Sequence, residues 1–276
     1  MKLDSAIISI EQRSIGGCID LAIAFVREHF VPVFRLVAWF AVPSVALTWW
    51  LITRQDWTLA GCLVLFAFEC PVLGAALVGA AGHRVFGDPF STRTGVRLLA
   101  GRMLLILPLL IVFRAVTLVA AFLLIFPAYM VATRYGFLAE ALLLEECPAR
   151  RYETRMNDLT GENFIGLVGR LIALVLFFSV AVTSLFMLID IACGTLFGLP
   201  ILSGRISDTA YVAEEITTLL TYDPRVAMVL VATLWLVYPV TRLAWMFCYL
   251  DRRIQREGWD VELDFRVEAG RLEAAT

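Results

Sequence analysis

Charged residues lie inside long apolar stretches of this sequence, at Glu69, Arg114, Arg134 and Arg242. A charge without a partner at the centre of a bilayer costs at least about 2.5–3.5 kcal/mol on insertion scales. Such residues therefore pair with one another or line a polar cavity that accepts an anionic lipid headgroup or a small solute. We treat them as candidates for an intramembrane site.

The depth of these residues along the predicted helices favours an ion pair between Glu69 and Arg134, with Arg242 as the second candidate partner. Arg114 lies nearer the opposite side of the membrane. Two interpretations stay open: a pair that fixes helix register, which needs no ligand, and a cavity that binds an anionic group. Pro71 follows Glu69 closely, so locally opened backbone is expected there.

A second charged cluster lies at the end of the predicted fourth span, with Glu140, Glu145 and Glu146 before the turn and Arg150, Arg151 and Arg155 after it. Opposite charges across a short turn predict a salt-bridged elbow that holds a short helix against the preceding span. The alternative is a docking site for a protein partner. The arginines also suit contact with anionic lipid, which contributes about 1 kcal/mol for each residue near the surface.

The overall composition requires lipid as the main solvent of this chain. Of its 276 residues, 60% are hydrophobic and 17% are charged. Soluble domains average roughly 45–50% apolar and about 25% charged residues. So large an apolar excess cannot be hidden in the core of one water-soluble domain.

The apolar runs predict an all-α polytopic membrane protein with six transmembrane helices. A helix at 15–30 precedes them and is predicted to be an amphipathic interfacial helix, or alternatively a packed cytoplasmic helix that never touches lipid. Its predicted apolar face consists of Ile15, Ile19, Ala22, Ile23, Val26 and Phe30. The region 103–145 is too long for one span and is divided by a turn near 117–121. Residues 190–224 form the longest connection and include a short surface helix. The predicted spans are about 33–53, 57–81, 102–119, 121–145, 165–189 and 225–250.

Residues 1–260 are predicted to form a single membrane domain, and 261–276 a short charged cytoplasmic tail. Apolar and charged residues alternate over 261–268, which indicates an extended strand or a disordered tail. Most Lys and Arg residues fall on the side of both termini. The positive-inside rule therefore predicts a multi-pass protein of the cell membrane with both termini in the cytoplasm.

Short segments of the chain resemble a known membrane family. They are 142–145, 148–152 and 159–164 around the elbow, 126–129 with its Pro127, and 248–263 at the end of the last span. Together they are similar to the membrane domain attached to some glycerophosphodiester phosphodiesterases, which also occurs alone. Tyr152, Ala128 and Arg252 depart from that pattern.

The resemblance implies a six-helix membrane domain but no activity. The catalytic part of such enzymes is a soluble barrel, which needs roughly 200–250 residues, and no soluble stretch of this sequence is that long. The sequence also lacks an HExxH motif, a nucleophile elbow, a phosphate-binding glycine loop and zinc-ligand spacing. We therefore expect no enzyme activity, no metal, no cofactor and no nucleic-acid partner.

The sequence favours a non-enzymatic scaffold or membrane-anchoring subunit that interacts with membrane lipids or with protein partners on the cytoplasmic face. The alternative is a transport component for an anionic lipid or small solute, built on an intramembrane polar cavity. An intramembrane enzyme is a third and weaker interpretation. A cavity open to one bilayer face and lined by Glu69, Arg134 and Arg242 would favour transport, and a dry interior filled by side chains would favour the scaffold.

Overall fold

The computed structural model describes residues 14–85, 91–145, 151–161, 163–206 and 211–257. Within these ranges the chain is all-helical and contains no strand, which confirms the predicted all-α class. In chain order the helices are α1 (Ile15–Glu28), α2 (Phe30–Gln55), α3 (Leu59–Val85), α4 (Thr92–Leu123), α5 (Ile125–Tyr135), α6 (Leu138–Leu143), α7 (Tyr152–Thr160), α8 (Phe164–Phe197), α9 (Val212–Tyr222) and α10 (Pro224–Glu257).

Among the described residues, five helices are long and apolar enough to cross a membrane: α2, α3, α4, α8 and α10. They overlap the predicted first, second, third, fifth and sixth spans, although α4 begins ten residues before the predicted third span. The predicted class of polytopic membrane protein is therefore confirmed. The predicted tail at 261–276 and Arg150 of the predicted elbow lie outside the described residues.

The chain reverses between α4 and α5 at Leu124, later than the turn predicted near 117–121. Leu124 is extended, and its N–H donates to Ala120 O at 2.8 Å. Residues 115–124 contain no glycine and no charged residue that would end α4 earlier. Pro127 cannot occupy the interior of a continuing helix, because it lacks an N–H, but it is tolerated in the first turn of α5. The proline therefore favours the late reversal.

The predicted fourth span is not one helix, because it is broken between α5 and α6 at Gly136. The indole Nε1 of Trp245 in α10 donates to Gly136 O at 2.9 Å. A Cβ on residue 136 would lie 2.8 Å from the Trp245 ring. The indole thus fills the space of a side chain and satisfies one carbonyl of the broken segment, which the sequence did not indicate.

The broken segment nevertheless returns along α4 as far as Arg102. Arg102, near the start of α4, donates from Nη1 to Leu142 O in α6 at 2.5 Å. Glu145, just beyond α6, in turn accepts a hydrogen bond from the hydroxyl of Tyr249 near the end of α10. The start of α4 and the ends of α6 and α10 therefore lie at one end of the bundle, which we call the basic end.

Helix α1 also lies at the basic end, packed against α10. Cys18, Ala22 and Phe25 are buried, and the Phe25 ring meets Phe247 edge to face at a centroid distance of 6.1 Å. Ile23, which the predicted apolar face includes, is exposed. The predicted helix is present, but its buried stripe faces protein and is rotated from the predicted one.

The opposite end of the bundle is closed by Asp190. The sequence places this residue in the connection after the fifth span, but α8 continues past it to Phe197. The buried carboxylate accepts hydrogen bonds from the backbone N–H groups of Ile201 and Leu202 at 2.8 Å and of Ser203 at 2.9 Å. Since these bonds stabilise its charge, Asp190 folds the chain back onto the end of α8.

We predict that Gly136→Ala lowers the thermal unfolding temperature of the purified protein in detergent. The added Cβ would collide with the Trp245 ring and with Ala132 O, 2.7 Å away, and overpacking of this kind costs about 1–3 kcal/mol. Gly169→Ala in α8 is the matched control, because its added Cβ meets no heavy atom within 4 Å. Equal unfolding temperatures of the two variants would contradict the role given to Gly136.

Candidate anion-binding cavity

A cavity of about 330 Å³ lies between α3, α4, the broken α5–α6 segment, α8 and α10. Its wall is mostly apolar and aromatic. Among the described residues, the charged side chains that line it are Arg114 from α4 and Arg242 from α10. The aromatic residues of the wall are Phe66, Phe113, Tyr135, Phe178, Tyr238 and Trp245.

Arg114 is held by the backbone that Pro71 opens in α3. Proline has no N–H, so it leaves the carbonyl four residues earlier, that of Ala67, without a helical partner. Arg114 Nε donates to Ala67 O at 2.6 Å, and its Nη2 lies 3.1 Å from Cys70 Sγ. The opened backbone expected beside Glu69 is therefore present, and it positions a guanidinium at the cavity.

Arg242 is neutralised by a buried carboxylate behind the cavity wall. Its Nη1 lies 2.5 Å from Glu140 Oε1 of α6, and the two side chains are 11% and 0% exposed. The pair joins α10 to α6. The other oxygen of Glu140, Oε2, is buried and has no hydrogen-bond partner within the described structure.

The predicted ion pair between Glu69 and Arg134 is wrong. Arg134 is exposed on α5, and no ion pair joins it to any residue that the structure describes. Glu69 is half-buried but does not line the cavity, although Phe66 and Cys70 of the same helix do. The prediction matched the depths of the two charges. It did not include the direction of each side chain around the helix axis, and the structure exposes Arg134 and buries Glu140.

The structure brings two of the predicted site residues, Arg114 and Arg242, to one cavity and leaves Glu69 and Arg134 out of it. Sequence reasoning missed the role of Glu140, which it placed with the elbow charges. The sequence did indicate that Glu140 is buried, because this residue interrupts an apolar run and lies four residues before Leu144, the last apolar residue of the predicted span. The contributions of Tyr238 and Trp245 carried no such signal, since aromatic residues are common in membrane helices.

The elbow is present and centres on Glu145. Arg155 of α7 donates to both carboxylate oxygens, from Nε at 2.6 Å and from Nη2 at 2.7 Å, and Tyr249 donates at 2.5 Å. Arg253 approaches to 3.6 Å. Arg151 is exposed at the start of α7 and forms no ion pair with a described residue. The predicted salt bridge across the elbow is therefore confirmed for Glu145 and Arg155.

The hydrogen bonds and charges around Glu145 offset the effect of its burial on the pKa of its carboxyl. Removal from water would by itself raise the pKa of this carboxyl, but hydrogen bonds from Arg155 and Tyr249, with the charges of Arg155 and Arg253, hold the pKa below its usual value. The ionised form is thus favoured in the folded protein.

No protein-family model, curated protein or solved structure matches this chain. The resemblance to the membrane domain of glycerophosphodiester phosphodiesterases therefore stays a prediction, and the geometry of the cavity carries the functional argument.

We predict that Arg242→Met lowers the unfolding temperature strongly, because it leaves Glu140 buried without its counter-charge. Removing one partner of a buried pair costs about 3–5 kcal/mol. The double variant Arg242→Met, Glu140→Leu should recover much of the loss, as a double-mutant cycle in detergent would measure.

The matched control is Arg134→Met, the same substitution at an exposed arginine outside the cavity, which should not lower the unfolding temperature. A double variant as unstable as the sum of its single variants would contradict the coupling between Arg242 and Glu140.

We also predict that the elbow stabilises the protein in a pH-dependent way. Because the pKa of Glu145 is lower in the folded state than in the unfolded state, its contribution is present above the unfolded pKa of about 4.3. It is lost as the pH falls through the folded pKa. The difference in unfolding temperature between wild type and Glu145→Gln should therefore be large near neutral pH and shrink in acid. Glu214→Gln, at an exposed position of α9, should show no such trend.

Proposed function

We propose that this protein is a transport component that takes an anionic lipid or a small anionic solute into the cavity beside Arg114. The observation that carries the proposal is the charge of that cavity. Arg114 has no carboxylate partner among the described residues, whereas the charge of Arg242 is balanced by Glu140. A guanidinium in an apolar wall within the membrane favours an anion as its missing partner.

The broken α5–α6 segment supports transport over a purely structural role. Non-helical backbone at membrane depth is tolerated where it is buried in protein or lines a cavity. Many transporters form their substrate sites at such interrupted helices. Tyr135 and Gly136 at the break and Leu138 and Ala139 of α6 line this cavity, so the interrupted segment and the basic group meet at one place.

The location follows from the charges at the basic end. This end of the bundle contains Arg93, Arg97 and Arg102 of α4, Arg151 just before α7, and Arg155 of α7. By the positive-inside rule we place it, with both termini, in the cytoplasm and the protein in the cell membrane. Membrane lipids are its expected partners, and the elbow remains a candidate surface for protein partners.

The other sequence-based expectations remain predictions. The sequence favoured a scaffold or membrane-anchoring role, and an interior filled by side chains would have supported it. Because the interior contains a cavity instead, we prefer the alternative of transport. The expectations that the chain is not an enzyme and uses no metal or cofactor stay predictions as well.

Transport can be tested with the full-length protein in phosphatidylcholine vesicles that contain headgroup-labelled phosphatidylglycerol in both leaflets. A membrane-impermeant quencher added outside should reach more of the labelled lipid than in protein-free vesicles. Arg114→Met should abolish the excess, because the anion loses its counter-charge in the cavity.

The control for the transport assay is Arg134→Met, which removes an exposed arginine outside the cavity and should transport like wild type. Quenching that matches protein-free vesicles, or that is equal in wild type and Arg114→Met, would refute transport through this cavity.

A further inference from the structure

Resting on the proposed function, we infer the ligand class of the cavity: an amphiphile with one negative charge, carried by a phosphodiester or carboxylate headgroup, that enters sideways from the bilayer between α5 and α8. The proposed function names only an anionic lipid or solute, and the ligand class adds a single charge, a hydrocarbon part and a direction of entry.

The charge of the ligand follows from the groups around the cavity. Arg114 and Arg242 are the charged lining residues that the structure describes, and Glu140 cancels the charge of Arg242. The cavity therefore offers one net positive charge. A monoanion balances it, whereas a neutral ligand leaves Arg114 uncompensated and a dianion brings an excess negative charge into an apolar wall. Uncompensated charge of either sign is disfavoured at this depth.

The headgroup chemistry follows from the donors that Arg114 has left. A guanidinium carries five N–H donors, and the bonds to Ala67 and Cys70 come from Nε and Nη2. The Nη1 amino group makes no hydrogen bond to a described residue. Paired acceptor oxygens, as in a carboxylate or a phosphodiester, match the planar fork of donors on one edge of a guanidinium.

The hydrocarbon part follows from the wall and its opening. Val175 of α8 lines the cavity and is exposed, as are its helix neighbours Ile172 and Leu176. Val131 and Ala132 of α5 also line the cavity. These residues of α5 and α8 are apolar, and those of α8 are exposed, as entry of a ligand from lipid requires. A cavity of about 330 Å³ is near the small end of ligand sites, at roughly 300–1,000 Å³, which suits a headgroup whose chains remain among the lipids.

The test is native mass spectrometry of the full-length protein in a neutral detergent, with one lipid added at a time. Phosphatidylglycerol and oleate, each a monoanion, should bind about tenfold or more tightly than zwitterionic phosphatidylcholine. Phosphatidic acid, whose phosphomonoester carries about −1.5 to −2 charges at pH 7, should bind more weakly than phosphatidylglycerol. Inorganic phosphate should not displace bound phosphatidylglycerol.

Two variants add one positive charge to the cavity and should reverse the preference toward phosphatidic acid. Thr117→Arg places a second guanidinium on the lining of α4 and leaves the Arg242–Glu140 pair intact. Glu140→Gln releases the charge of Arg242 instead. Because Glu140→Gln is also expected to be less stable, Thr117→Arg carries the test if that variant does not fold.

Arg114→Met separates failure of the inference from failure of the proposed function. It should weaken phosphatidylglycerol binding by about tenfold to a hundredfold, the value of a charged hydrogen bond, while Arg134→Met should bind like wild type. If no anion binds in a way that depends on Arg114, the proposed function falls. If binding depends on Arg114, the proposed function stands, and three results would overturn the inferred ligand class alone. These are a preference of wild type for phosphatidic acid, an unchanged preference in the variants with added charge, and displacement of phosphatidylglycerol by inorganic phosphate.

Discussion

The ion pair between Arg242 and Glu140 is the interaction on which the interior of this protein depends. In a bundle whose outer solvent is hydrocarbon, neither charge is tolerated at its depth without the other. The pair fixes α6 against α10, and one turn further along α10 the Trp245 indole binds the carbonyl of Gly136. These two contacts hold the broken segment in place, and the cavity exists because that segment is not a continuous helix.

A second constraint links a proline to the candidate site. Pro71 removes one hydrogen bond from α3, and the freed carbonyl of Ala67 is satisfied by Arg114 from the neighbouring helix. The freed carbonyl and the half-buried guanidinium thus satisfy each other by a hydrogen bond. Because the carbonyl is neutral, it leaves Arg114 without a carboxylate partner among the described residues, and the proposed anion site is based on that imbalance.

The sequence predicted most of the fold, because the length of an apolar run depends only on bilayer thickness and helix rise. The long spans, the helix at the basic end and the elbow between Glu145 and Arg155 follow from that rule and from charge placement. The boundaries were less predictable. Asp190 reads as the start of a loop, yet three backbone N–H groups satisfy its charge inside α8. Local composition does not show such tertiary partners.

The sequence by itself determined that the chain spans a membrane several times, that α4 and α7 present their arginines at the same end, and that buried charges must find partners. Only the tertiary structure decided which charges meet. Depth along a helix can be counted from the sequence, but the direction in which a side chain points around the helix axis depends on packing and on breaks in the helix. Arg134 is exposed and Glu140 is buried against Arg242, so Arg242 is paired, whereas Arg114 has no carboxylate partner among the described residues.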